Sequence, residues 1–385
     1  MSVTFLHTSD WQIGATYWML DADGQARLDQ ARLDAIATMG RIARDTGCAF
    51  MVVAGDVFDR NSLKETTLQR ALEAMKAIPV PVLLLPGNHD PLTADSIFAR
   101  ATHLDNVMVL DGHGPFTIPG VDGVEVVAAP LLTRHVYEDP VAVMLRDVEP
   151  APADVIRIAV GHGAVESHTT MATANHIDLG LVEEALAEGR IDYLALGDTH
   201  STRKLDARGQ VYYSGAPEVT DFHDFHGLAP GADVGGNENN SGNCLVVSID
   251  KRATGDVDVT VEEHRTGQWR FEAHTRDCNS AEDVEDFLAF LNAFEDKPRV
   301  VIKYALQGTI DMAAMQRLEG ELARLENAFA ALYRRTRLDS LQLEPSEDDL
   351  HNLGLAGYAA QALEELVATG QDDAINLLFR LSREK

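Results

Sequence analysis

The stretch VLLLPGNHD, residues 82–90, joins a run of aliphatic residues to a turn that carries polar side chains. Four consecutive aliphatic residues closed by a Pro-Gly pair are typical of a strand that is buried on both faces, as in the parallel sheets of α/β proteins. Asn88, His89 and Asp90 follow at the carboxyl end of this strand, where α/β folds place their chemistry. The stretch therefore predicts a layered α/β fold with a functional site at its strand ends.

The same arrangement, an apolar strand followed by a polar turn, recurs along the first half of the chain. Further strands of this kind are predicted at 3–6, 50–54, 155–160 and 193–196. The polar blocks that follow them are Asp10-Trp11-Gln12, Gly55-Asp56-Val57-Phe58-Asp59, Gly161-His162 and Gly197-Asp198-Thr199-His200. Taken singly, an Asp after a strand is more often a turn residue than a ligand. Because the blocks recur at five strand ends, one shared site is the better interpretation.

Amphipathic and alternating patterns predict the elements between and beyond these strands. Helices are predicted at 25–46, 63–77, 315–329, 359–367 and 374–381, and further strands at 124–129, 211–213, 245–249 and 300–306. The composition shifts at about 265–280, and the Gly- and Asn-rich loop at 218–243 is expected to be flexible. We therefore expect a catalytic domain at 1–268, a small α+β domain at 269–350 and a C-terminal helical segment at 351–385.

The Asp, Asn and His side chains of these blocks are suited to divalent metal ions. Carboxylate oxygens suit hard ions such as Mn²⁺ and Mg²⁺, and imidazole also suits Mn²⁺, Fe²⁺ and Zn²⁺. Two ions that share a carboxylate ligand can activate a water molecule and stabilise charge at a phosphoryl centre. Asp56 is the natural shared ligand for such a pair.

The segments HTSDWQIG, GDVFDR, LLPGNHD, GHG and LALGDTH, in this order, resemble the five motifs of the calcineurin-like phosphoesterase superfamily. More narrowly, they resemble the branch of SbcD-type DNA repair nucleases, and the Tyr-Ser-Gly at 213–215 agrees with that branch. The resemblance covers residues 1 to about 265, and residues 270–350 more weakly resemble the capping domain of the family. It implies an α/β fold, a four-layer sandwich of two mixed β-sheets flanked by helices, with a smaller α+β capping domain.

Carried over position by position, the resemblance implies two metal sites and a catalytic pair. The first ion would be held by Asp10, Gln12, Asp56 and His200, and the second by Asp56, Asn88, His162 and Asp198. His89 would act as a general acid or stabilise the leaving group, and Asp59 would support His89. The implied cofactors are two divalent ions, Mn²⁺ foremost, with Mg²⁺ and Fe²⁺ as alternatives.

Two positions depart from the pattern of the family, because Gln12 and Asp198 stand where histidines are usual. A carboxylate at position 198 favours Mn²⁺ or Mg²⁺ over Zn²⁺. An amide oxygen at position 12 is a weaker ligand than imidazole, so the first ion is expected to bind less tightly. We expect a variant site that is active, and the alternative is a scaffold protein that has lost activity.

Several side chains beside the motifs are candidates for substrate contacts. Arg60, Arg203 and Lys204 directly follow metal motifs and are expected to bind backbone phosphates, with solvated surface charge as a nearly even alternative. Trp11, Tyr17 and Trp18 suit stacking on a base, and packing beneath the cleft is an equal alternative.

Composition limits the classes of function. Lys and Arg total 32 against 61 Asp and Glu, which gives a formal net charge of −29. Proteins that bind duplex DNA alone usually present a basic surface. The acidic charge of this chain fits solubility, a salty cell interior or a partner that supplies the basic surface, and it is compatible with a local basic rim around a metal cleft. The three cysteines are far apart and fit reduced thiols. We expect a cytoplasmic protein, because neither a signal peptide nor an apolar stretch of membrane-spanning length is recognisable.

The resemblance implies a metal-dependent DNA exonuclease and endonuclease that acts in repair or recombination, by attack of a metal-activated hydroxide on the phosphodiester. It also implies an SMC-like coiled-coil ATPase as partner, and whether the chain forms a homodimer stays open. A second class is a small-molecule phosphodiesterase or phosphatase, since the same metal site serves both. A third is a non-catalytic subunit.

Overall fold

The computed structural model describes residues 1–134, 137–165, 176–226, 238–343, 357–369, 371, 374–375 and 377–378. The chain divides into two compact units. The first contains Met1–Phe222 and Val234–Trp269, and the second contains His223–Asp233 and Arg270–Lys385. Parts of the glycine-rich segment GGNENNSGN and of the helix predicted at 374–381 lie outside the described residues.

The elements up to residue 269 alternate strands and helices. In chain order they are β1 (Ser2–Thr8), α1 (Ala22–Asp45), β2 (Met51–Val53), α2 (Glu65–Lys76), β3 (Val82–Leu84), a 3₁₀ helix (Ile97–His103), β4 (Val107–Val109), β5 (Phe116–Thr117), β6 (Val124–Ala128), α3 (Pro140–Leu145), β7 (Ile156–His162), α4 (Leu179–Ala187), β8 (Tyr193–Gly197), β9 (Arg203–Lys204), β10 (Val211–Tyr213), β11 (His223–Asp224), β12 (Asn243–Lys251) and β13 (Val257–Arg265). All of these except β11 belong to the first unit.

The first unit contains two six-stranded mixed sheets. Their strand orders are β13-β12-β1-β2-β3-β4 and β5-β6-β7-β8-β10-β9. In the first sheet, β1 to β4 run parallel to one another, β12 runs antiparallel to β1, and β13 runs antiparallel to β12. In the second sheet, β6, β7, β8 and β10 run parallel to one another. The strands predicted from apolar runs are all present, within a few residues of their predicted ends.

Three apolar cores join these elements into four layers. Alternate residues of the strands face opposite sides of a sheet, so Phe5 of β1 lies in the core between the sheets while Leu6 lies in the core beneath α1 and α2. A third core packs α3 and α4 on the outer face of the second sheet. Phe5 and Phe50 stack at a centroid distance of 5.1 Å between the sheets. The predicted four-layer sandwich is confirmed.

Helix α1 shows how the sequence sets these layers. Asp21 begins the helix, because its carboxylate accepts a 2.7 Å hydrogen bond from Gly24 N. Leu28, Ala35 and Met39 recur on one face and are fully buried. Burying a side chain of the size of leucine stabilises the fold by about 1.5–3 kcal/mol, so this face holds the helix on the first sheet.

The second unit has a parallel sheet with two helices on it. Its elements are β11, β14 (Arg270–Asp277), α5 (Ala281–Asn292), a 3₁₀ helix (Lys297–Arg299), β15 (Val300–Ile310), α6 (Met312–Glu326), β16 (Ala331–Arg334), β17 (Ser340–Leu343) and α7 (Tyr358–Ala368). The strand order is β11-β14-β15-β16, and β17 also pairs with β15. Residues of α5, α6 and β15 share one core. None of the helices, within the residues that are described, is long and apolar enough to cross a membrane.

Candidate metal centre

The polar blocks of the first unit follow strands of both sheets. Asp10 follows β1, Asp56 follows β2 and Asn88 follows β3 in the first sheet, whereas His162 ends β7 and Asp198 follows β8 in the second. Because parallel strands present their carboxyl ends at one edge of a sheet, these side chains are brought to the same end of the sandwich.

The backbone of the site has an unusual conformation. Among the described residues, five that are not glycine have a positive φ, and four of them are Asp10 (52°), Gln12 (48°), Asp56 (52°) and Asp198 (99°). A positive φ costs energy for residues with a Cβ, and residues in this strained conformation cluster at functional sites. Two hydrogen bonds hold the turns together, from Asp10 N to Gly55 O at 3.0 Å and from Gln12 N to Asp56 O at 3.1 Å.

One group of predicted ligands converges on the imidazole of His162. Its Nε2 lies 2.9 Å from Asn88 Oδ1, 3.5 Å from Asp56 Oδ1 and 3.8 Å from Asp198 Oδ1. Its Nδ1 donates a 2.8 Å hydrogen bond to the carbonyl of Ala54. This bond leaves Nε2 as the atom that is directed toward the three oxygens. The group is the ligand set predicted for the second ion.

A second group lies around Asp10 and His200. His200 Nε2 is 3.8 Å from Asp10 Oδ1, and the ligand atoms of Asp10, Asp56 and His162 all lie within 4.8 Å of one another. Asp198 N also donates to both oxygens of Asp10, at 3.2 and 3.1 Å. The predicted ligands of the first ion are thus neighbours of those of the second.

Asp56 has one oxygen toward each group. Oδ1 is 3.5 Å from His162 Nε2 and accepts a 3.0 Å hydrogen bond from His89 N. Oδ2 lies 3.1 Å from Gln12 Nε2. A carboxylate whose two oxygens face different ligand groups has the geometry that a bridging ligand requires.

Gln12 contacts Asp56 through its amide nitrogen, which donates to Oδ2 at 3.1 Å. As a metal ligand Gln12 would have to present its amide oxygen instead. A rotation of the amide group by about 180° exchanges the two atoms without moving the rest of the side chain.

Two glycines allow the turns to approach closely. A Cβ on Gly87 would lie 2.2 Å from Asp56 Oδ1, and a Cβ on Gly55 would lie 2.1 Å from His162 Nδ1. Gly55 also has a φ of +94°. The glycines of these motifs are therefore required by the contact between strand-end turns.

The Tyr-Ser-Gly segment supports Asp10 from behind. Ser9 Oγ donates to Asp10 Oδ2 at 2.6 Å and lies 2.8 Å from Ser214 Oγ. Tyr213 donates its hydroxyl to Gly163 O at 2.8 Å, next to His162. This segment therefore fixes residues beside both ligand groups.

The charges of the site favour cations. Burial by itself lowers the pKa of His162, but the nearby carboxylates, Asp56 above all, outweigh it and raise that pKa well above its usual value. Burial similarly lowers the pKa of His200, but its contact with Glu238 and the charge of Asp10 raise it to about 9. Asp10 and Asp56 are buried, and divalent ions would supply the positive charge that buried carboxylates need.

His89 lies beside the ligand groups and is 43% exposed. Its Nδ1 donates to the main-chain carbonyl of Asp59 at 3.1 Å, and the Asp59 carboxylate is 4.0 Å away. Its Nε2 is 3.9 Å from Asp56 Oδ2. The contact with Asp59 is thus made chiefly through the backbone, while the carboxylate of Asp59 forms a 2.8 Å ion pair with Arg60.

The remaining candidates are less directly connected. Arg203 and Lys204 form the exposed edge strand β9, and no described contact joins either side chain to the predicted ligands. Trp11 is buried and donates to Thr8 Oγ1 at 3.1 Å, so it packs in the core. Trp18 is 83% exposed.

Sequence reasoning missed two residues of the site, Thr220 and Glu238, and gave a third, Asp90, only a turn or orienting role. Asp90 is buried and accepts hydrogen bonds from Phe58 N at 2.9 Å and Gly87 N at 2.8 Å, which join two of the turns. Thr220 and Glu238 lie behind His200, with Thr220 Oγ1 2.5 Å from His200 Nδ1. Asp90 follows His89 directly, and its position suggests only a turn or an orienting role. For Thr220 and Glu238 no motif or spacing gave a signal, because hydrogen-bond partners of ligands have no fixed position in sequence.

Comparison with known proteins gives three findings. The sequence model of the family described as calcineurin-like phosphoesterase matches residues 3–202, which is more than half of the 385 residues. Two curated relatives, the SbcD subunits of the nuclease SbcCD from Escherichia coli strain K12 and from Escherichia coli O157:H7, are each 25% identical over 255 residues. The crystal structure of TT1561 of Thermus thermophilus is 12% identical, with a TM-score of 0.40, and the match covers 69% of this chain and 100% of that one.

The matches to the two curated relatives cover 56% of this chain and 61% of each relative. The chain therefore spans about three fifths of the length of the curated relatives that it matches.

Proposed function

Because the chain belongs to the calcineurin-like phosphoesterase family, we propose that it is a metal-dependent DNA phosphodiesterase, a nuclease of the SbcD type. The observation that carries the phosphoesterase part is the convergence of Asp10, Asp56 and His162 at the strand ends of two sheets. The family uses divalent metal ions, and this buried group has the donor atoms for one. The DNA specificity is supported by the matches to the two nuclease subunits.

In this proposal two divalent ions would be held at the end of the sandwich where the predicted ligands meet. The first ion would be bound by Asp10, Gln12, Asp56 and His200, and the second by Asp56, Asn88, His162 and Asp198. When bound, such ions supply a nucleophile at neutral pH and neutralise charge on the phosphoryl oxygens. Mn²⁺ is our first choice, because carboxylates outnumber imidazoles among the acidic and basic ligands.

The residues of the chain position the substrate and move a proton. The carbonyl of Asp59 holds Nδ1 of His89, which directs Nε2 toward the side of Asp56 where the phosphate would lie. We assign His89 as the general acid, or as the donor that stabilises the leaving oxygen. Arg60 is the nearest candidate for a phosphate contact, although it must first exchange its ion pair with Asp59. Arg203 and Lys204 are proposed to bind backbone phosphates along the path of the DNA strand.

The partner is proposed from the relatives, which are named as subunits of one nuclease. A coiled-coil ATPase that binds DNA would supply the basic surface that a chain of net charge −29 lacks. The proposal places this chain in DNA repair or recombination in the cytoplasm.

The test is a Mn²⁺-dependent nuclease assay on linear duplex and single-stranded DNA, with and without a candidate coiled-coil ATPase partner. His89→Ala should retain both Mn²⁺ ions by calorimetry and lose about 10²–10⁴-fold in turnover, whereas His162→Ala should lose metal as well. Loss of metal in His89→Ala would contradict the role of that residue. Hydrolysis of a nitrophenyl phosphodiester without cleavage of DNA would favour the small-molecule phosphodiesterase instead.

A further inference from the structure

Behind His200 lies a buried carboxylate that the proposed chemistry does not use. Glu238 has a side chain that is 3% exposed, which is costly for a charged group unless hydrogen bonds compensate. Oε1 accepts a 2.8 Å bond from Thr220 N, and Oε2 accepts bonds from Thr220 Oγ1 at 2.6 Å and from Asp221 N at 2.7 Å. Glu238 is therefore held rigidly by the segment that carries Thr220.

The direction of these bonds determines the state of the histidine. Since Thr220 donates its only hydroxyl proton to Glu238, its oxygen is left to accept from His200 Nδ1, 2.5 Å away. The carboxylate of Glu238 is itself 3.4 Å from the same Nδ1. His200 must then keep its proton on Nδ1, so Nε2, 3.8 Å from Asp10 Oδ1, is the nitrogen that can give up its proton and bind a metal ion.

We propose that Thr220 and Glu238 are positioning residues that hold His200 in the tautomer and orientation required to bind the first metal ion. The inference rests on the proposed metal centre. Such carboxylate partners of ligating histidines fix the ring and raise its basicity, and their loss typically costs about 10–100-fold in metal affinity. Here the hydroxyl of Thr220 transmits the effect of the carboxylate to the ring.

A nearby carboxylate provides a matched control. Glu218 is 2% exposed and accepts hydrogen bonds from the backbone of Val219, Gln268 and Trp269, and no described contact joins it to His200. Glu218→Gln therefore removes an equally buried charge from the same part of the chain. A general effect of a lost buried charge would appear in both variants, and an effect through His200 in Glu238→Gln alone.

The experiment titrates the full-length chain with Mn²⁺ by calorimetry and, in separate metal-free samples at pH 10 where the ring is neutral, records the ¹⁵N signals of the imidazole of His200. Glu238→Gln and Thr220→Val should each lower the affinity for one of the two Mn²⁺ ions by about 10–100-fold and leave the affinity for the other unchanged. In both variants the ¹⁵N signals of His200 should no longer show a single Nδ1–H tautomer. Thr220→Ser keeps the hydroxyl and should therefore keep both the Mn²⁺ affinity and the tautomer of the wild-type chain. If Glu238→Gln does not fold, the comparison of Thr220→Ser with Thr220→Val tests the positioning role.

Several results would overturn the inference. Wild-type affinities and an unchanged tautomer in Glu238→Gln and Thr220→Val would exclude the positioning role while leaving the metal centre in place. An equal loss of affinity in Glu218→Gln would show that the effect is general. Absence of Mn²⁺ binding by the wild-type chain would remove the metal centre and the positioning role together.

Discussion

The three histidines of the site share one arrangement. His89, His162 and His200 each have Nδ1 against an oxygen of the protein, and each directs Nε2 toward an aspartate. The oxygen differs, since it is a backbone carbonyl for His89 and His162 and a threonine hydroxyl for His200. A carbonyl can only accept, so it fixes the tautomer without help, whereas a hydroxyl needs a further acceptor such as Glu238.

The role of Gln12 can be separated from that of its neighbours by restoring the histidine that is usual in the family. Gln12→His should tighten the first of the two Mn²⁺ ions, because imidazole is a better ligand than an amide oxygen. Calorimetric titration with Mn²⁺ measures this directly. An unchanged affinity would mean that Gln12 is not a ligand and serves instead as the hydrogen-bond donor to Asp56.

The burial of His7 predicts that the stability of the fold depends on pH. His7 is completely buried against Tyr193 and the carbonyl of Leu196, and burial lowers its pKa from 6.5 to about 3 despite that carbonyl. Between these values the unfolded chain binds a proton that the native chain does not, so stability falls as the pH drops from about 6.5 toward 3. The loss from this residue should reach about 2 kcal/mol at pH 5.

The measurement is urea unfolding at pH 7 and pH 5 in the presence of a chelator, which removes the contribution of metal ions. His7→Gln should show a smaller difference between the two pH values than the wild-type chain. His103→Gln, at an exposed position, serves as the control and should keep the difference of the wild type. Equal differences in all three proteins would show that His7 does not have this effect.

At the level of single residues, the sequence predicted which polar side chains come together better than it predicted the residues that support them. Asp10, Asp56 and His162 follow apolar strands directly, and local order along the chain is enough to place them at one edge. Glu238 reaches His200 from 38 positions further along the chain, and only the folded structure determines such a contact. The left-handed backbone at Asp10 and Asp56 was also missed, because aspartate is not restricted to one region of φ.

At the level of elements, the site depends on how closely the turn after β3 approaches the turn after β2. Gly87→Ala would place a Cβ 2.2 Å from Asp56 Oδ1 and 2.5 Å from the backbone nitrogen of Asp56. We expect a loss of about 1–3 kcal/mol in stability from the overlap, together with weaker binding of both ions, because Asp56 faces both ligand groups.

Gly112→Ala is the matched control, since a Cβ there meets nothing within 4 Å. Denaturant unfolding and Mn²⁺ titration of both variants check the prediction. Normal metal binding by Gly87→Ala would mean that the turns separate without disturbing Asp56.

The elements that the sequence predicted well are those in which apolar residues recur with a clear helical or strand period. Helix α1 was expected at 25–46 and is found at Ala22–Asp45, and the strand expected at 300–306 continues to Ile310. Helix α4 was not predicted, because it has nine residues and only Val182 and Ala185 are buried. Short elements of this kind are held by their neighbours, so their own sequence shows little of the helical period.

At the level of the whole molecule, the two sheets of the first unit must both be in place for the ligands to meet. The first sheet carries Asp10, Asp56 and Asn88, and the second carries His162 and Asp198. Divalent ions that bind only this arrangement will stabilise it over the unfolded chain. The stabilisation grows with concentration and is about 2.7 kcal/mol per ion at 100 times its Kd.

Mn²⁺ added to the metal-free chain should therefore raise the melting temperature, by about 5–10 °C for each ion bound at that concentration in a unit of this size. The rise should continue with each increase in Mn²⁺ concentration, because the stabilisation depends on the logarithm of the ratio to Kd. His162→Ala is the control, since it removes the imidazole around which Asn88, Asp56 and Asp198 converge, and its response should be much smaller. A flat response of the wild-type chain over a thousandfold range of Mn²⁺ would contradict a metal centre built from the strand ends of both sheets.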